Sequence, residues 1–178
     1  KVIRDIDPDI PVYLVDCIYD LEGTEKYERY CDIVAVDPYP SSLPGEELTD
    51  PRPISTYQAT HVKKALNASD YKKPVYAILQ TFDWRGHFPT SDTIRLMIYQ
   101  TFLQGVKGFG YYCLEDAQGF EGQSPVDLPD TDRWPGLVSM AKNEFEFMFD
   151  HFVYDKYPLF NEKKGEDAWY RSWVMNGK

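Results

Sequence analysis

Carboxyl side chains recur in this chain where short apolar runs give way to polar sequence. Asp16 follows Val12–Val15, Asp37 follows Ile33–Val36, and the pair Glu115-Asp116 follows Phe109–Leu114. The fourth run, Val75–Leu79, ends in Gln80, with Asp83 three residues on. A carboxyl group can act as general acid, general base or nucleophile, and two in different protonation states can divide those roles. Asp37 is the first choice among them, because Pro38 and Pro40 stiffen the segment that would hold its carboxylate; capping a loop is the plainer role for the same residue. Asp16 is either a second carboxylate or a group that orients a neighbour, and Glu115 completes the catalytic candidates. Gln80 can donate to and accept from a ligand through one amide, or it can tie loop backbone together. Asp83 joins it as a candidate ligand-binding residue. Around them stand Tyr39, Trp84, Tyr112 and Trp134, aromatic faces suited to stacking, and His87, a loop imidazole. Trp134 is equally placed to pack the start of a helix, and His87 to be solvated.

The apolar runs are too short for helices and too continuous for half-exposed strands, which fits parallel strands covered on both faces. Helical patterns lie between and after them. Glu25–Tyr30 predicts a short helix, and Thr56–Ala68 places Ala59, Val62 and Leu66 on one stripe. Ser91–Gln104 aligns Ile94, Met97, Ile98 and Phe102, with Thr90 as N-cap and Gly105 just past the end. A last helix starts at Trp134-Pro135 and runs through Leu137, Ala141, Phe145, Met148 and Phe152. Strand and helix therefore alternate four times, the signature of βαβ units and a parallel sheet. Segments entering strands are short, such as Ser69–Lys73 and Gly105–Gly108. Segments leaving them are long: Asp37–Ile54, Thr81–Thr90 and Glu115–Arg133. The long segments gather at the carboxyl ends of the strands, where α/β folds bind ligands. Lys1–Ile6 resembles the tail of a helix. Ala168–Met175 predicts a strand beginning, followed by the hairpin signal Asn176-Gly177. Both ends suggest a piece of a longer polypeptide.

Composition narrows the partners. The 178 residues carry a net charge of −10, which disfavours a nucleic-acid partner. No window is apolar enough for a membrane helix, and no signal peptide is visible at Lys1. Aromatic residues make up 16% of the chain, including fourteen Tyr, a surplus that suits stacking on flat ligands as well as core packing. Cys17, Cys31 and Cys113 are widely spaced and odd in number, so neither a zinc site nor a disulfide framework is expected. The acidic stretch of Asp127, Asp130 and Asp132 lacks the spacing of a calcium loop, and Asn67-Ala68-Ser69 fits a glycosylation sequon. No cofactor or metal is expected.

Five segments carry a resemblance to a known family. Asp37-Pro38-Tyr39-Pro40 after a strand resembles the D-x-Y-P segment of glycoside-hydrolase-like (β/α)8 barrels. Lys73–Phe82 resembles their seventh strand. Pro89-Thr90, Arg95–Gln100 and Gly105–Tyr112 resemble the helix and eighth strand that follow, with Gly105-x-x-Gly108 the most specific element. The resemblance spans residues 1–155, which it implies are the second half of a TIM (β/α)8 barrel, strands five to eight. Residues 156–178 would then be a linker and the first strand of a truncated β-sandwich domain. It implies a carbohydrate substrate, O-glycosyl hydrolysis through strand-end carboxylates, a missing N-terminal barrel half as structural partner, and a secreted or periplasmic setting. Such hydrolysis needs one protonated and one charged carboxyl group. The family's nucleophile is a Glu at the end of the seventh strand, where this chain has Gln80, and its acid/base follows a fourth strand beyond this sequence. An amide cannot form a glycosyl ester, so the alternative is a barrel that binds carbohydrate without cleaving it. A half barrel alone would expose sheet edges and is expected to associate.

Overall fold

The computed structural model describes residues 2–16, 22–40, 51–82, 89–113 and 133–146, with the two short segments 163–164 and 169–170. The fold is α/β. A four-stranded parallel sheet is formed by β1 (Tyr13–Asp16), β2 (Ile33–Val36), β3 (Val75–Gln80) and β4 (Gly108–Tyr112), in the order β1-β2-β3-β4. Helices α1 (Val2–Ile6), α2 (Glu22–Tyr27), α3 (Pro51–Ala68), α4 (Ser91–Gln104) and α5 (Arg133–Asn143) alternate with the strands, and a 3₁₀ turn at Glu28–Tyr30 extends α2. Within this sheet each strand pairs in parallel only with its neighbours in sequence.

Strand register sorts the side chains between two faces. Leu14, Val34, Val75 and Ala77 lie on one face, as do Val36, Leu79 and Phe109. This face packs against Val62, Ala65 and Leu66 of α3, Ile94, Met97, Ile98 and Phe102 of α4, and Leu137 and Met140 of α5. Burying one such large apolar side chain contributes roughly 1.5–3 kcal/mol. The other face carries Tyr13, Val15, Ile33, Ala35, Tyr76, Ile78, Gln80, Gly108, Gly110 and Tyr112. Tyr13 and Val15 are each 43% exposed there. The glycines of β4 give room to their neighbours: a Cβ on Gly108 would stand 2.9 Å from the Tyr76 ring.

Local chemistry explains the boundaries. Thr90 caps α4 by accepting from the Thr93 N–H at 3.1 Å. Gly105 ends it in the left-handed region at φ 93°, donating to the Phe102 carbonyl while Val106 N–H reaches back to Thr101. Helix α3 begins five residues before the expected Thr56, with Pro51 and Pro53 in its first turn, where the missing N–H groups would have no intrahelical partner. Helix α5 ends at Asn143, and Glu146 is helical again after a two-residue break. The chain turns there, with Glu144 and Phe145 N–H groups both donating to the Met140 carbonyl, and Phe145 still buried edge-on to Phe109 at 5.5 Å. Met148 and Phe152 lie outside the described residues. Near the end of the chain, β5 (Lys163–Lys164) and β6 (Trp169–Tyr170) form an antiparallel pair. The expected strand thus pairs with an upstream segment; the Asn176-Gly177 turn is outside the described residues.

The amino ends of the strands are fastened by ions. Asp32 accepts both oxygens' worth of bonds from Arg4 at 2.8 Å and also takes the Val12 N–H at 2.8 Å. Those two donors, the backbone one foremost, hold its carboxyl below the usual range. Lys73 reaches the Glu28 carboxylate at 2.8 Å and its backbone carbonyl at 2.6 Å. Cys31 is buried beside them, and burial pushes its thiol up.

Candidate functional site

At the carboxyl ends of β2, β3 and β4 the chain gathers a buried carboxylate, a buried amide and three aromatic rings. Asp37 directly follows β2, and strand alternation sends it to the face opposite the helices. It is buried, and its Oδ2 accepts from the Tyr39 hydroxyl at 3.1 Å. The Tyr39 ring stacks with Tyr112 at 6.1 Å between centroids and meets Phe82 edge-on at 5.1 Å. Phe82 and Tyr112 are edge-on to each other at 5.7 Å. Three rings from three strand ends therefore brace one another, in the offset and perpendicular geometries that ring quadrupoles favour.

Gln80 ends β3 and is fully buried. Its Nε2 donates to the Phe82 carbonyl at 3.1 Å and so folds back the turn that delivers the Phe82 ring. Thr81 ties the same turn to β4, its N–H donating to the Tyr112 carbonyl at 2.8 Å. The Tyr112–Cys113 peptide is cis. Beneath Asp37, Gln58 of α3 reaches up through the core. Its Nε2 donates to the Pro38 carbonyl at 2.7 Å and touches Met97 Sδ at 3.3 Å, while its buried Oε1 has no partner among the described residues. The backbone between Asp37 and Tyr39 is thus anchored to α3.

Tyr13 and Tyr76 flank the site lower on the same face, edge-on at 6.0 Å. The Tyr13 phenol is pushed up, first by burial and then by the neighbouring Tyr76 and Asp37. An anionic carboxylate within reach disfavours a second negative charge on that phenol. The arrangement sets packed aromatic rings beside a carboxyl group, and a carboxyl group can serve as a base or a fixed charge.

Asp16 is not brought to this place. It shares its face with Leu14, toward the helices, and its Oδ2 accepts a short 2.5 Å bond from the buried Thr24 hydroxyl. The backbone at Gly23 passes so close that a Cβ there would stand 3.1 Å from both carboxylate oxygens. Asp16 is therefore tied to the first turn of α2, on the opposite side of the sheet from Asp37. Glu115, Asp83, Trp84 and His87 lie outside the described residues, as does Cys17. Trp134 falls in the first turn of α5, and its side chain is outside the described part.

Residues that sequence reasoning passed over are Gln58, Phe82, Tyr13 and Tyr76. Gln58 had a signal: it is the polar member of a helical stripe continued by Val62, Ala65 and Leu66. Tyr13 and Tyr76 follow from alternation once strand direction and register are known. Among the described residues, no group of three or more His, Cys, Asp or Glu is arranged to hold a metal, and no helix is long and apolar enough to cross a membrane. No family model, no curated protein and no solved structure matches the chain.

Proposed function

We propose that the chain is one half of a carbohydrate-processing (β/α)8 barrel, strands five to eight, and that Asp37 is one of its working carboxylates. The observation that carries this is the site itself: a buried carboxylate braced by a phenol, walled by Tyr39, Phe82 and Tyr112, with the Gln80 amide beside it. The architecture supports it. A doubly wound sheet reverses its strand order and puts helices on both faces, whereas here the order runs in sequence and the core helices share one face. The opposite face, with Tyr13 and Val15 half exposed, suits a covering N-terminal barrel half. The antiparallel β5–β6 pair suits the start of a following β domain. Glu115 and Asp83, from the long segments after β4 and β3, supply the remaining candidate carboxyl groups. Trp84, His87 and Trp134 remain candidate sugar contacts.

The test is turnover of a panel of aryl glycosides and oligosaccharides by the polypeptide carrying both barrel halves. Hydrolysis that falls by at least about a hundredfold in Asp37→Asn, the scale of a lost acid–base group, is the expected result. No turnover on any substrate, or turnover indifferent to Asp37→Asn, refutes the hydrolase assignment.

One observation favours a second role. Gln80 is fully buried and its amide is engaged with the Phe82 carbonyl, at a strand end where a covalent mechanism would place an acid. Carbohydrate binding without cleavage fits that residue. Saturable binding on a glycan array with no product formed would support it, and any enzymatic hydrolysis would remove it.

A further inference from the structure

We infer that Tyr39 is a positioning residue that holds Asp37 in its charged form, so that Asp37 is the base, nucleophile or charge-stabilising member of a carboxyl pair and the proton donor is another group. The assignment of that role rests on the proposed hydrolase function; the coupling between the two side chains does not.

Burial alone would favour the neutral acid at Asp37, because a desolvated carboxylate is costly. The geometry opposes this. The Tyr39 hydroxyl donates to Oδ2 at 3.1 Å, and a hydrogen bond offered to the charged form favours that form. The phenol is not free to swing away. Tyr112 stacks on its ring and Phe82 abuts it edge-on, so the orientation is set by packing before the bond is made. The backbone is fixed as well, since Gln58 grips the Pro38 carbonyl at 2.7 Å between the two residues. Among the described residues, Tyr13 of β1, Tyr76 and Gln80 of β3, and Tyr112 of β4 share the face of the sheet that Asp37 joins, and none of these four is a carboxylic acid or a base of the Lys, Arg or His type. Tyr39 also spends its hydroxyl and one ring face inside the protein. Its contribution to a ligand is therefore through Asp37 more than through direct stacking.

Tyr39→Phe keeps the ring and its packing and removes only the donor. Carbon-13 NMR titration of the Asp37 carboxyl in the full chain, assigned by its loss in Asp37→Asn, reads the effect without any substrate. The Asp37 midpoint is expected to rise by about one pH unit, a roughly tenfold change in ionisation constant, with thermal stability little altered. A purely structural tyrosine would leave the midpoint in place. The reciprocal measurement uses Asp37→Asn: removing the negative charge is expected to lower the Tyr39 phenol midpoint, read at its ring carbon. Should Tyr39→Phe fail to fold, this second titration decides alone. An Asp37 midpoint unmoved by Tyr39→Phe, a Tyr39 midpoint unmoved by Asp37→Asn, or a native Asp37 midpoint above neutrality overturns the inference. A moved midpoint in a protein that hydrolyses no glycoside upholds the coupling and sinks only the hydrolase role. Hydrolysis with an unmoved midpoint does the reverse.

Discussion

Gln58 offers the sharpest check on how the Asp37 segment is held. Its side chain is fully buried, donates one bond to the Pro38 carbonyl, and carries an oxygen with no partner among the described residues. Gln58→Leu removes the donor and leaves the Pro38 carbonyl without it, a loss of about 1–3 kcal/mol. The same change removes the orphaned Oε1, whose burial costs a similar amount, and adds an apolar side chain to an apolar site. The two effects nearly cancel, so the net change is expected within about 1 kcal/mol. Gln58→Glu is different in kind. A glutamic acid in that position can donate to Pro38 only while protonated, and full burial raises its pKa by as much as ~3–5 units. The folded protein then keeps a proton that the unfolded chain releases near pH 4.3. Stability is complete below that value and falls as pH rises toward the folded-state pKa. From about pH 4.3 to 7 the interval is ~2.7 units at 1.36 kcal/mol each, which gives about 3–4 kcal/mol lost at neutrality. Urea unfolding followed by tryptophan fluorescence at pH 4.5 and 7 measures both variants. Gln58→Leu losing more than about 3 kcal/mol, or Gln58→Glu equally stable at both pH values, would refute a dry, half-satisfied amide beneath Asp37.

Three further outcomes are expected. Thr24→Val removes the donor to Asp16 and should destabilise by about 1 kcal/mol, discounted for the partial exposure of Asp16, while the NMR signals of Tyr39 and Tyr112 stay in place because the pair is on the other face. Gly105→Ala forces a Cβ into the left-handed region at φ 93° and should cost about 1–2 kcal/mol in urea or thermal unfolding. Arg95 bonds hold the Glu144 carboxyl below its usual range, and the Val12 N–H with Arg4 does the same for Asp32. Folded-state values below the unfolded ones mean stability that is present above about pH 4 and lost as pH falls through the folded pKa. Glu144→Gln and Asp32→Asn should therefore flatten the acid limb of the stability profile, and an unchanged limb would contradict both ion pairs.

Much of the framework was legible because it is written in local chemistry. Helix α4 could be bounded from Thr90 and Gly105 alone, since a cap hydroxyl and a left-handed glycine act on their own turn. The strands showed as apolar runs because one face meets helices and the other remains largely nonpolar. What stayed hidden depends on partners distant in sequence. Asp16 and Asp37 look alike in sequence, each an acid ending an apolar run. Their faces differ because β1 and β2 pair with Asp16 opposite Val36, one residue short of Asp37. A step of one residue along a strand reverses the side of the sheet. The bond from Gln58 to Pro38 spans twenty residues and two elements, and only the packing of α3 over β2 brings it about. The start of α3 ahead of Thr56 was not legible in its apolar stripe, which begins at Ala59; the first turn holds Pro51 and Pro53, which a first helical turn tolerates.

The two rims of the sheet are built from different materials. At the amino rim the ties are Arg4 to Asp32, Asp32 to Val12 and Lys73 to Glu28, made with charged side chains that lie close to their strands. At the carboxyl rim they are ring against ring, amide against carbonyl, and hydroxyls on the carboxylates of Asp16 and Asp37, and none of these ties is an ion pair. Strands here are four to six residues long, so the rims stand roughly 13–20 Å apart, beyond the ~8 Å over which charges are felt in physiological salt. Substitutions at one rim should thus leave the electrostatic setting of the other nearly untouched, and a lineage could exchange its ligand contacts without reworking the joints that keep the strands in step.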